Sequence, residues 1–196
     1  MLSAVHYSHQ LLDELIHKFP QGTFIDATLG NGNDFLYLLQ KEEFQGRLMG
    51  FDIQEEAIAS SSEKIRQFIE TNGEPAASYE MIHDSHAKID QYLQNTKIHG
   101  AVFNLGYLPG GDHSITTHFS STYEAIEKIG HFLEVGGRII LVIYWGHEEG
   151  QIEKAQLMEE LVQWSQRDWQ VLQYQFINQI NRPPYVVVLE KINHPK

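Results

Sequence analysis

The chain has 196 residues, 42% of them hydrophobic and 20% charged, and its 26 acidic against 14 basic residues give a formal net charge of -12. A domain of this size buries roughly 70% of the surface its unfolded chain exposes, and the absence of cysteine excludes a disulfide framework, a thiolate zinc site and a cysteine nucleophile. The acidic field favours solubility over non-specific binding to nucleic acid or membrane, so with no basic leader and no apolar run near ~18 residues the expectation is a soluble, cytoplasmic single domain over residues 1–196.

In chain order, Leu11, Leu12, Leu15 and Ile16 recur at helical spacing and predict an amphipathic helix over 8–18. A short apolar run, Thr23 to Ala27, leads into a turn at Gly30 and Gly32, and a helix follows from Asn33 to about Lys41. Arg47 to Phe51 is a second strand closed by Asp52, and Glu55 to Glu70 a helix. Tyr79 to Ile82 and Ile98 to Leu105 are the third and fourth strands. A helix over Tyr123 to Leu133 precedes the Gly136-Gly137 turn and a β-branched fifth strand, Arg138 to Tyr144. Ile152 to Gln166 reads as a helix. Val171 to Ile177 and Tyr185 to Lys191 are strands joined by a connection too short for a crossover helix, which predicts antiparallel pairing. The whole is an α/β chain: a Rossmann-like, open, mostly parallel sheet of seven strands with a C-terminal antiparallel hairpin and helices on both faces.

The most informative stretch is Asp26-Ala-Thr-Leu-Gly-Asn-Gly-Asn-Asp34, a strand feeding a Gly-x-Gly turn that opens a helix. Glycines there let the backbone turn tightly and approach a ligand, and an acidic residue at the end of the next strand, Asp52, suits ribose hydroxyls. Phe35 stands where a dinucleotide fingerprint needs its third glycine, and no Gly-Lys-Ser/Thr occurs. Asp26 and Asp34 would repel a pyrophosphate but attract a ligand carrying an ammonium and a sulfonium. S-adenosylmethionine carries both and no phosphate. The predicted cofactor residues are Asp26, Gly30, Asn31, Gly32, Asn33, Asp34, Asp52, Gln54, Ser85, His86 and Asn104. Ser85 or Asp84 also suits a helix cap. His83 and His86 read as loop polarity, because no third ligand at a recognisable spacing makes them a metal site.

The fourth strand ends in Asn104-Leu-Gly-Tyr-Leu-Pro-Gly-Gly-Asp112. Methyltransferases acting on amino nitrogens commonly place Asn or Asp here, then two small or proline residues, then an aromatic; Asn104 and Tyr107 keep that spacing. An amide oxygen accepts a hydrogen from the target amine and aims its lone pair, while an aromatic ring stacks on the base.

These two motifs, with Tyr144-Trp-Gly-His-Glu-Glu-Gly150 and Asn181-Arg-Pro-Pro-Tyr185, resemble the YtqB/MnmM family of class I methyltransferases over nearly the whole chain. The resemblance implies methylation of the aminomethyl group on 2-thiouridine at the tRNA wobble position, and a homodimer. His113 stands where the family pattern has Lys, and Trp145 where it has Pro. Against the acidic net charge, an RNA footprint must be local: Tyr107, Asp112, His113, Tyr144, Trp145 and Arg182 are the candidates, with Lys154 beside them. A primary amine resembling Lys has a pKa of about 10.4 and is mostly protonated at neutral pH, so Asp34, Asp112 or His147 is a candidate proton acceptor. The catalytic candidates are therefore Asn104, Tyr107, Asp34 and His147. The alternatives are methylation of an rRNA base amine or a small amine, a non-catalytic S-adenosylmethionine-binding module and, more distantly, a nicotinamide oxidoreductase.

Overall fold

The computed structural model describes residues 1–106, 119–145 and 148–194, with backbone alone for 148–154. Ser3 caps the first helix, α1 (Ala4–Lys18), by accepting a hydrogen bond from the His6 amide at 3.3 Å. That cap starts α1 at Ala4, four residues before the start at residue 8 that the sequence predicts, because a hydroxyl satisfies a first-turn amide without needing a buried side chain. Then follow β1 (Thr23–Asp26), α2 (Asn33–Leu39), β2 (Arg47–Asp52), α3 (Glu55–Asn72) and β3 (Ser78–His83). A short 3-10 turn (His86–Lys88) and a single helical turn, α4 (Asp90–Leu93), connect β3 to β4 (Ile98–Leu105). The second half is α5 (Phe119–Phe132), β5 (Leu133–Ile143), α6 (Glu148–Leu161), β6 (Trp169–Tyr174) and β7 (Tyr185–Lys191).

The seven strands form one sheet in the order β3-β2-β1-β4-β5-β7-β6. The first five are parallel, whereas β7 runs antiparallel to both β5 and β6. The predicted hairpin therefore forms, with its second strand slotted between β5 and the first. Side chains alternate across the sheet, as a strand's period of two requires. Phe24, Leu48, Val102, Ile140 and Val188 pack against α1, α2 and α3 through Leu12, Leu15, Phe35, Leu38 and Ile65. Ile25, Met49, Phe103, Leu141 and Leu189 pack on the other face against Ile126 and Ile129 of α5 and Leu157 and Leu161 of α6. Two apolar layers, one on each face, bury the five inner strands, while the edge strands β3 and β6 stay largely open to water.

The Gly136-Gly137 turn lies inside β5. Ile98 pairs with Leu133 but Gly100 pairs with Arg138, so the intervening β5 residues bulge out, and Gly136 takes a φ of 79° there. Farther along, buried Lys191 on β7 donates to the carbonyls of Gly130 and Leu133, both at 2.9 Å, and so closes the C-terminus of α5. Strand order reverses between β1 and β4, and in an open α/β sheet the crevice at such a reversal, beyond the carboxyl ends of the strands, is where ligands bind. The turn after β1 meets the end of β4 there, where Asn104 bonds Thr28 and Asp34.

Candidate active site

The glycine turn is built by backbone geometry and two side chains. Gly30 and Gly32 have φ of 50° and 67°, a left-handed conformation that glycine adopts without a Cβ clash. A Cβ at Gly32 would lie 2.8 Å from the Ser61 hydroxyl and 3.2 Å from its Cα. Ser61, fully buried on α3, donates to the Gly30 carbonyl at 2.9 Å. Asp52 accepts from the Gly30 amide at 2.8 Å with one carboxylate oxygen and from the Gln54 amide at 3.0 Å with the other. It thus clamps the turn to the end of β2. Asn31 and Asn33 take hydrogen bonds from Ser60 and Lys64 of α3.

Three carboxylates converge on this turn. Asp26 is 1% exposed and accepts from the Thr28 amide at 3.2 Å. Burial, then the nearby Asp34 and Asp52 carboxylates, push its pKa well above the usual range. Among the described residues, no lysine or arginine pairs with Asp26, Asp34 or Asp52. Asp34 is held instead by two other side chains: the His9 Nε2 lies 2.7 Å from Oδ1, and the Asn104 amide donates to Oδ2 at 2.7 Å. His9, on α1, was not among the residues the sequence pointed to.

At the end of β3, Asp84 accepts from the Ser85 amide, Lys88 and Tyr92, and Ser85 caps the 3-10 turn through the Ala87 amide at 3.2 Å. His83 bonds the Ile53 carbonyl at 3.0 Å. His86 turns inward, donating from Nδ1 to the Ala27 carbonyl at 2.8 Å with its ring edge-on to Phe103. Burial lowers its pKa, so the ring is neutral and Nε2 is an acceptor. That Nε2 is buried with no hydrogen-bond partner among the described residues. Buried acceptors are normally satisfied, and an amino group such as that of adenine is the donor this one lacks.

Asn104 sits at the end of β4, its backbone N–H donating to the Thr28 hydroxyl at 2.6 Å. Because Asp34 can only accept, the side-chain NH2 must face it, and Oδ1 is left as an acceptor that takes no hydrogen bond from a described residue. Past β5, Tyr144 is 38% exposed and packs against Gly106; the burial of the rest of its side chain, then the Asp34 charge, raises its pKa. Trp145 donates from its indole to the Pro183 carbonyl at 3.0 Å, and the Arg182 guanidinium lies 5.7 Å from the Trp145 ring. The structure therefore brings Asp26, Asp34, Asp52, His86 and Asn104 to the crevice and groups Tyr144, Trp145 and Arg182 on its rim. Tyr107, Asp112, His113 and His147 lie outside the described residues, as does the Lys154 side chain.

Three carboxylates without a paired lysine or arginine among the described residues, and the unmet acceptor of His86, fit S-adenosylmethionine: an ammonium and a sulfonium for the acids, hydroxyls for Asp52, and an adenine amine for His86. The comparisons agree with that chemistry. Residues 48–190 match the family described as "Putative rRNA methylase". The tRNA (mnm(5)s(2)U34)-methyltransferase, chloroplastic, of Arabidopsis thaliana is 31% identical over 197 residues, spanning 97% of this chain and 70% of that protein. The crystal structure of a putative rRNA-methylase from Clostridium thermocellum superposes with a TM-score of 0.86 at 37% identity, covering 98% of this chain and 99% of the other. That of a putative methyltransferase from Streptococcus mutans in complex with SAH gives 0.82 at 32%, with the same coverage. The acidic crevice and these matches place the chain in the rRNA-methylase (YtqB/MnmM) family of class I, S-adenosylmethionine-dependent methyltransferases.

Proposed function

We propose that the chain methylates the 5-aminomethyl nitrogen of 2-thiouridine at the tRNA wobble position, giving the 5-methylaminomethyl form, and that it works on the anticodon loop as a cytoplasmic homodimer. The observation that carries this reading is the fixed amide of Asn104, whose Oδ1 is kept as an acceptor by the Asp34 bond on the other side of the group. When bound, the cofactor supplies a methyl group on positively charged sulfur. Asp26 and Asp34 would hold its cationic end, and Asp52 and His86 would bind its nucleoside. Asn104 Oδ1 accepts one hydrogen of the substrate amine and so fixes the direction of the nitrogen lone pair. Positioning of this kind supplies much of what an in-line transfer needs from a protein.

The rim supplies the RNA-facing half. Tyr144 offers a ring beside Gly106, just past Asn104 in the chain, and Arg182 over Trp145 joins a cation to an aromatic face. Single-stranded bases are taken up by stacking on such surfaces, and an anticodon loop presents its wobble base already accessible. Tyr107, Asp112, His113 and His147 join the proposed substrate-handling residues on the strength of the sequence motifs alone. The Arabidopsis relative supports the tRNA substrate. The family description favours a second reading, an rRNA base amine.

The test uses total RNA from cells lacking the protein, incubated with purified enzyme and methyl-labelled S-adenosylmethionine, then divided into tRNA and rRNA and analysed by nucleoside mass spectrometry. Label in a methylaminomethyl-thiouridine of tRNA is expected. Label confined to rRNA would support the second reading, and none despite cofactor binding would support a non-catalytic binding module.

A further inference from the structure

The site's least expected member is His9. Its Nε2 stands 2.7 Å from Asp34 Oδ1, and its side chain is 21% exposed where that of Asp34 is 8% exposed. The ring lies flat on Tyr37, with centroids 3.7 Å apart and planes 13° from parallel. Tyr37 in turn donates to Asp13 and accepts from Lys41, which also pairs with Asp13. The histidine is thus fixed in plane and position, with one edge on a buried carboxylate and part of its surface toward water. The opposite oxygen of that carboxylate holds Asn104.

Resting on the proposed function, we infer that His9 is the outlet for the proton that the substrate's ammonium must lose before it can be methylated. The ammonium gives a proton to the Asp34–His9 pair, His9 becomes an imidazolium, and it releases the proton to solvent. The neutral amine then forms the C–N bond as the C–S bond breaks with its electron pair left on sulfur, so the positive charge passes to the secondary ammonium product. An imidazole is the one side chain that ordinarily exchanges protons between pH 5 and 8, whereas an aspartate alone would have to hold the proton inside a cluster of like charges. The charged and titratable groups facing the pair are Asp13 of α1, Tyr37 and Lys41 from α2 and its end, Asp26 of β1, and Tyr144 past β5. His9 does not touch the substrate position, so it acts through Asp34 as a positioning and proton-accepting residue.

The experiment compares wild type with His9→Gln and His9→Ala in single-turnover methylation of hypomodified tRNA across a pH series, with S-adenosylhomocysteine affinity measured alongside. Glutamine keeps a donor toward Asp34 but cannot carry a proton. Expected for His9→Gln is S-adenosylhomocysteine affinity within about twofold of wild type, with a rate at neutral pH lower by about 100-fold that recovers as pH rises toward the amine's own range. Added imidazole should restore part of the rate in His9→Ala. A His9→Gln profile parallel to wild type at every pH overturns the inference and leaves His9 a structural buttress. Imidazole nitrogen NMR of the S-adenosylhomocysteine-bound protein reads His9 without any acceptor present. The ring must change protonation over the pH range in which the wild-type rate changes, and Asp34→Asn must alter that change. A ring locked in one state overturns the inference whatever the acceptor is. Absence of wild-type methylation on that tRNA, with His9 still titrating, would instead count against the proposed substrate.

Discussion

The two walls of the crevice are built from opposite materials. Beyond β1 and β2 the wall is acidic and partly backbone: Asp26, Asp34 and Asp52 around a left-handed glycine turn, with His86 behind them. Past β5 and just before β7 the wall is aromatic and carries a cation, with Tyr144 next to Trp145 and Trp145 in sequence-distant contact with Arg182 and Pro183. In a chain of net charge -12, that division confines attraction for phosphate to the rim and reserves the interior for a cationic ligand. Asn104 stands where the walls meet, tied to the acidic one through Asp34.

That contrast can be broken most severely at the junction. Asn104→Ala should lower kcat by about 100-fold, because misplacement of the reacting amine by about 1 Å is enough for that loss. S-adenosylhomocysteine affinity should change far less, and a rate equal to wild type would remove Asn104 from the chemistry. On the acidic wall alone, Gly32→Val forces a side chain into a φ of 67° against Ser61. A cost of about 1–3 kcal/mol in stability is expected, together with loss of S-adenosylhomocysteine binding in calorimetry.

A gentler probe is pH. Burial and the neighbouring carboxylates raise the Asp26 pKa in the free protein, whereas a bound sulfonium or ammonium favours the ionised form. Binding therefore releases a proton, and affinity for S-adenosylmethionine should rise with pH by up to about tenfold per unit while free Asp26 remains protonated. By the same linkage, Asp26 contributes to the stability of the free protein at low pH, and that contribution is lost as pH rises through its raised folded-state value. Titrations in buffers of different ionisation enthalpy would measure the released proton; Asp26→Asn should abolish it. The smallest effect belongs to the rim. Arg182→Ala should raise the KM for RNA about threefold to fivefold, in line with an exposed cation–π contact of about 0.5–1 kcal/mol, and leave cofactor affinity unchanged. An equal loss of both would mean that the walls are not separate.

The acidic wall was the more legible in sequence, for a physical reason: its residues lie in one contiguous strand-turn-helix segment, with Asp52 at the end of the next strand. The bounds of β4 and β7, Ile98–Leu105 and Tyr185–Lys191, follow from apolar runs that only a buried strand accommodates. His9 was hidden because α1 carries His6, His9 and His17 on one amphipathic helix, and only its packing on the sheet decides which ring reaches Asp34, 25 residues away. The Ser61 clasp and the lysine cap at Lys191 are likewise long-range contacts with no local signature. By contrast, the start of α1 was available: Ser3 is an N-cap residue type placed before a helical run.

The most direct measurement is single-turnover methylation of a synthetic anticodon stem-loop carrying one 5-aminomethyl-2-thiouridine at the wobble position, beside an identical stem-loop with uridine there. Transfer of one methyl group to the aminomethyl nitrogen, with none to the uridine control, is the predicted result. Equal labelling of both stem-loops, or labelling of neither by protein that binds S-adenosylhomocysteine, would contradict the assignment of Asn104 and the aromatic rim to that amine.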